Sequence, residues 1–355
     1  MKNWKFWLGI GVSAFFLWLA LPGLHLTEVA GYMAGANYFW LIPSVAVYFV
    51  AVWARTWRWD YMLRPVKHIP VRDLFPVVVI GYMGNNIYPL RMGEVLRSYV
   101  LLRRERVPMG ASLATVIVER VFDGLVMLLF VFIALPFFPL PDSYRQLVVL
   151  ASVAFFAALL LFFVFAAVPA HTLRLADWVY THFLPAKWRE KLLDITQNVL
   201  NGLISLRSFR NVLMIFLTSV VIWLLETVKY WFVMHAFDFG DAQVTFFALM
   251  LMNGVVNLAT TIPSGPGYVG TFDVPGIAVL VLYGVTPEIA TAYTVVLHVA
   301  LWLPITLLGA YYMVREGMSW QDLNKAAEIK AGGVSGEEPQ PPIDLNNATK
   351  KETAG

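Results

Sequence analysis

Apolar residues along this chain gather into windows of about 20, the length of helix that crosses a hydrocarbon core about 30 Å thick, with short polar stretches between them. Window length predicts full spans at 5–22, 38–54, 112–136, 147–168, 211–236 and 289–313. Six crossings return both termini to one side. The first window has the positive start and apolar middle of a signal peptide. Its apolar core is long and rich in Trp and Phe, and no small-x-small site follows Ala20, so it reads as a retained span. The composition agrees: 59% hydrophobic, 14% charged and a mean hydropathy of +0.66 place the chain among all-α, polytopic integral membrane proteins. The absence of cysteine excludes disulfides, thiolate metal sites and cysteine nucleophiles.

The basic residues orient the bundle. Lys2 and Lys5, the cluster Arg55, Arg58, Arg64, Lys67 and Arg72, the run from Arg174 to Arg210, and Arg315 with the tail all fall on one side. The positive-inside rule makes that side, and both termini, cytoplasmic. Of the 26 Lys and Arg, 23 lie inside, Arg120 and Lys229 lie within spans, and Arg145 lies outside. This points to a multi-pass protein of the cytoplasmic (inner) membrane.

Two stretches interrupt the pattern. Residues 74–90 look like another span, yet a complete crossing would strand Arg91, Arg97, Arg103, Arg104 and Arg106 outside. A re-entrant hairpin resolves this, with its tip at Gly84, Asn85 and Asn86 and a return helix from about Met92 to Arg106. Backbone freed at such depth must be shielded by protein or line a wet cavity, and the two asparagine amides can satisfy it. The second interruption, Thr260–Gly276, holds three prolines and four glycines, and only about 13 residues, 270–282, separate its proline and glycine loop from "YGVTPE". Thirteen helical residues rise about 20 Å, too little for a crossing. A hairpin entering from the outside is predicted, although three complete crossings across 243–284 satisfy parity equally well. Two broken segments of opposite entry are the sequence pointer to a transporter's central site.

Residues 172–210 read as a cytoplasmic amphipathic helix in the inner headgroup layer, with Leu192, Val199, Leu203 and Leu206 at helical spacing and Trp178 and Trp188 among basic residues. A helix packed on cytoplasmic loops fits the same pattern. The chain thus divides into a membrane domain, 1–315, and a polar tail, 316–355, too poor in apolar residues to fold.

Within the apolar windows lie charges, each costing at least about 2.5–3.5 kcal/mol near a bilayer centre. Glu119, Arg120 and Asp123 share one span, and Glu226 and Lys229 another. Pairs three or four residues apart meet on a helix face, so these groups are either register-fixing salt bridges or the wall of a polar chamber. Half-helix N-termini attract anions. Arg91, Gly93 and Glu94 open one such helix, and Gly267, Gly270 and Thr271 precede another, so a phosphate suits both places. Close helix packing accounts for the glycines equally well. Asn253 and Asn257 read as interhelical hydrogen-bonding residues.

Together these motifs resemble the lysylphosphatidylglycerol synthase transmembrane-region family, the flippase-like module that is also the N-terminal part of multiple peptide resistance factors. The matching residues are Asn86, Pro89, Arg91, Gly93, Glu94 and Arg97; then Glu119, Arg120 and Asp123; then "IPSGPGYVGTFD", Ile262 to Asp273. Asp273 stands where the family usually has glutamate. About 40 residues follow Arg315, too few for the aminoacyl-transferring domain of fused relatives, so lysyl transfer is not expected. The resemblance implies movement of lipids or lipid-linked groups between leaflets. The expected substrate-binding set is Asn85, Asn86, Arg91, Glu94, Arg97, Glu119, Arg120, Asp123, Gly267, Gly270 and Asp273, with Glu226 and Lys229 as a secondary polar pair. Neither a cofactor nor a metal is called for. The expected partners are membrane lipids with a phosphate-bearing headgroup, not nucleic acid, and homo-oligomerisation stays open. The alternatives are an intramembrane enzyme acting on a polyprenyl-phosphate or phospholipid carrier, with Glu119 and Asp123 as acid and base or as metal ligands, and a non-transporting scaffold.

Overall fold

A computed structural model describes residues 4–20, 23–89, 91–135, 209–262 and 264–318, with scattered positions between 150 and 181. The regular elements there are all helical: α1 (Trp4–Ala20), α2 (Leu26–Gly35), α3 (Leu41–Leu63), α4 (Val71–Ile87), α5 (Met92–Glu105), α6 (Met109–Ala134), α7 (Phe209–Met234), α8 (Phe246–Ala259), α9 (Asp273–Leu282) and α10 (Pro287–Arg315). Among them, Tyr38–Leu63, Arg210–Met234 and Pro287–Arg315 are long and apolar enough to cross a membrane. The predicted span 147–168, the amphipathic segment 172–210 and the tail beyond Met318 lie wholly or largely outside the described residues.

The first interruption folds as a tight helical hairpin. Tyr88 is extended, as the residue before a proline must be, and Arg91 takes a left-handed conformation (φ 53°) before the chain re-enters helix at Met92. The two limbs run antiparallel, Gly81 meeting Arg97 and Gly84 meeting Gly93. Glycine is required at this seam: a Cβ on Gly93 would overlap the Gly81 carbonyl oxygen and stand 2.6 Å from the Asn85 nitrogen.

The second interruption is a longer loop, 260–272, between α8 and the ten-residue α9, which pack on each other. Left-handed Gly267 (φ 67°), Tyr268 (φ 60°) and Gly270 (φ 84°) reverse the chain there. Helix α1 clasps this loop, with the Ser13 hydroxyl accepting from the Gly265 amide at 3.0 Å.

Two reversals of expectation concern α2 and α3. The segment 26–35 contains a helix that its hydropathy did not mark. Helix α3 runs on to Leu63 instead of ending near residue 54, so Arg55 and Arg58, expected in a cytoplasmic loop, are helical and buried at 6% and 1% exposure. Carboxylates from α6 and α7 neutralise them, and the helix therefore need not end where the charge begins.

Apolar packing forms two cores. One joins α3, α4 and α5 through Trp59, Met62, Leu74, Ile80, Met83 and Leu101. The other joins α6, α7, α8 and α10 through Phe130, Trp223, Tyr230, Leu249, Met252 and Tyr293. Phe216 and Leu301 touch both.

Candidate functional site

Between the two cores lies a cavity of about 1000 Å³, counting the open space at its mouth. Asn85, Asn86, Arg91, Glu94 and Arg97 from the first hairpin line it, with Gly267 and Tyr268 from the second interruption. Arg55 of α3, Arg120 of α6, Glu226 and Lys229 of α7 and His298 of α10 complete its polar wall.

Its charges form two clusters. The first centres on Glu119, which is 1% exposed. Its carboxylate accepts from Arg58 at 3.0 Å, Arg97 at 2.5 Å and Arg120 at 3.1 Å. Asp123 accepts from Arg58 at 2.7 Å and from the Trp223 indole at 3.0 Å, and lies 3.3 Å from Arg120. Glu94 extends this cluster to the cavity surface, 3.5 Å from Arg120 and 3.7 Å from Arg91. Four arginines thus meet three carboxylates. The second cluster is Glu226 between Arg55, at 2.6 Å, and Lys229. Here two cations meet one carboxylate. Arg55 also stacks on the Trp223 ring at 4.7 Å, and Lys229 on the Tyr48 ring at 4.5 Å; such faces stabilise a desolvated cation.

The anticipated pairing of Arg120 with Asp123 and of Glu226 with Lys229 is therefore present. Glu119 and Asp123 sit behind the cavity wall, held by three arginines. Gly270 and Asp273 stand off the wall too, since the Asp273 carboxylate accepts from the Gly270 amide at 2.8 Å and meets His298 Nδ1 at 2.8 Å. The amides at both helix openings have acceptors of their own: Gly93 donates to Asn85 Oδ1 at 2.8 Å, and Gly270 to Asp273. Cationic side chains, more than helix termini, face the cavity. Asn253 bonds across to α7 at the Trp223 carbonyl and Thr227 hydroxyl, the interhelical role its spacing indicated.

Among the site residues that were not anticipated, four bear most on its geometry. Arg55 and Arg58 stand three apart amid Trp53, Trp57 and Trp59, a signal in itself for a helix face in a polar interior. His298 meets an oxygen with each ring nitrogen, Asp273 Oδ1 at 2.8 Å and the Gly267 carbonyl at 2.7 Å, and so ties α10 to the second interruption. Trp302 joins the two interruptions: Asn86 donates to its carbonyl at 3.2 Å, its indole reaches back to the Asn86 carbonyl at 3.4 Å, and a Cβ on Gly267 would stand 3.0 Å from that nitrogen.

The profile of the lysylphosphatidylglycerol synthase TM region matches residues 6–309, nearly the whole described bundle. The chain belongs to that family. Two similar proteins are UPF0104 membrane proteins: one of Methanocaldococcus jannaschii, 21% identical across 85% of this chain and 92% of its own length, and one of Methanothermobacter thermautotrophicus, 27% identical across 85% and 91%. Glycosyltransferase AglD of Haloferax volcanii is 32% identical over 109 residues, 30% of this chain but 17% of its own. No solved structure matches significantly. This family membership and the apolar helices identify a helical membrane protein.

Proposed function

We propose that the protein is a lipid transporter of the flippase type, moving a lipid with a phosphate-bearing headgroup between leaflets of the cytoplasmic membrane. The headgroup enters the cavity between the two interrupted segments while its tails stay in the bilayer. Arg91, Arg97 and Arg120 meet the phosphate, and Glu119 and Asp123 hold those arginines in place from behind. In this reading both hairpins are re-entrant and of opposite entry, the termini are cytoplasmic, and access alternates as the hairpin tips part around Trp302.

One observation carries the reading: five cationic side chains, Arg55, Arg91, Arg97, Arg120 and Lys229, line one cavity in an apolar bundle. Each would cost several kcal/mol if it served only to be buried, and a structural role alone calls for one cation per carboxylate. The carboxylates that answer them are Glu94 and Glu226 in the lining and Glu119 and Asp123 behind it, four against the six cations of the two clusters.

The test is headgroup exposure of a phospholipid in proteoliposomes carrying the wild type, Arg91→Gln or Arg120→Gln. Transport above protein-free vesicles in the wild type, reduced about tenfold or more in each variant at equal reconstitution, supports it, since each loses a charge-assisted contact of about 1.5–3 kcal/mol. Equal rates in all three discard it.

A further inference from the structure

The two clusters have the same imbalance. Around Glu119, four arginines meet three carboxylates, and around Glu226, two cations meet one. Among the described residues, the two clusters thus hold two positive charges more than their own acids neutralise. Asp273 is answered off the cavity wall by the Gly270 amide and the His298 ring. The excess faces the cavity. Arg55 and Arg97, each 6% exposed, line it, and the Nε of each has no hydrogen-bond acceptor within the protein. A desolvated cluster with one cation more than its carboxylates answer is costly, and an anion of matching charge offsets that cost.

We propose that the ligand is a dianionic phosphate, a lipid phosphomonoester, selected over a singly charged phosphodiester because one negative charge answers each cluster. This rests on the transport reading for the identity of the cavity as the headgroup site. It goes further in fixing charge: zwitterionic and cationic headgroups fit a doubly positive cavity poorly, and a diester such as phosphatidylglycerol leaves one cluster unanswered. The planar guanidiniums of Arg55 and Arg97 supply donors that a terminal phosphate, with three free oxygens, accepts better than a diester with two.

The test is equilibrium binding of short-chain phosphatidic acid and short-chain phosphatidylglycerol to the full chain in a neutral detergent, with inorganic phosphate as competitor. Phosphatidic acid is expected to bind about tenfold more tightly at pH 7, and the advantage to shrink at pH 5, below the second proton loss of a phosphomonoester at about pH 6. Arg91→Gln in one cluster and Lys229→Gln in the other should each cut the preference to about threefold or less, because each removes one excess charge. Equal wild-type affinity for the two lipids at pH 7 overturns the dianion proposal, and so does inorganic phosphate binding as tightly as phosphatidic acid, which makes the ligand free phosphate. Proteoliposome transport separates the two ideas. Both lipids moved at equal rates leaves the transporter standing and removes the charge selectivity; tight, selective binding of phosphatidic acid with no transport does the reverse.

Discussion

The two interrupted segments solve one problem, a helix broken inside an apolar bundle, by opposite means. The first breaks within four residues, 88–91, and its return limb carries Arg91, Glu94 and Arg97 to the cavity. The second spends thirteen residues, 260–272, and satisfies itself largely with backbone: left-handed glycines, the Gly267 carbonyl bonded to His298, and the Gly270 amide bonded to Asp273. No Lys or Arg occurs between Lys229 and Arg315. One segment supplies charge and the other supplies shape. They meet at Trp302, which bonds Asn86 on one side and abuts Gly267 on the other.

If that division holds, neutralising an acid should matter far more beside the first segment than beside the second. Glu119→Gln leaves Arg58, Arg97 and Arg120 short of their shared partner in a site 1% exposed, and removing one member of a buried charged network costs about 3–5 kcal/mol. Asp273→Asn keeps an oxygen for the Gly270 amide and loses chiefly the charge facing His298, so about 1–3 kcal/mol is expected. Thermal unfolding of the two purified variants in one detergent ranks them. Equal losses would mean that the halves share their electrostatics after all.

The shape of the second segment can be strained without touching a charge. Gly267→Ala places a Cβ in a left-handed residue, about 1–2 kcal/mol, and 3.0 Å from the Trp302 indole nitrogen. Unfolding should shift by about that amount. Because Trp302 also holds Asn86, transport in proteoliposomes should fall by more than the stability loss explains. A variant that transports normally would place the contact between the tips outside the working cycle.

How far the chain's own text reveals this arrangement follows from the range of the interactions. The first hairpin is legible because its evidence is local: a span-like run followed at once by arginines that cannot be left outside. The extent of α3 is not. A hydropathy window ends at Arg55, but the helix continues because Glu226, 171 residues away, and Asp123, 65 residues beyond Arg58, neutralise its charges. The placement of Glu119 behind the wall is equally long-range, since it depends on Arg97 and Arg58 arriving from α5 and α3. His298 escapes for a related reason: its partner Asp273 lies 25 residues upstream, across the α9–α10 turn, at no helical spacing. The Glu226–Lys229 couple, three apart on one helix, needs no such partner to be seen.

The smallest effect on folding, and the sharpest on the division between the halves, is expected at Arg91. Its backbone is left-handed at φ 53°, a conformation glycine takes freely and an arginine takes at about 1–2 kcal/mol. Its side chain donates to the Thr260 carbonyl and hydroxyl at 3.2 Å and sits 5.7 Å over the Tyr268 ring, reaching from the charged segment to the uncharged one. Arg91→Gly relieves the backbone and forfeits those contacts, so unfolding should change by less than about 1 kcal/mol. Headgroup transport should nevertheless drop to the protein-free rate, because the cation that spans both segments is gone. A glycine variant that folds as well as the wild type and transports as well would show that Arg91 only ties the two loops together, and the charge carried by the first segment would then have no part in moving the lipid.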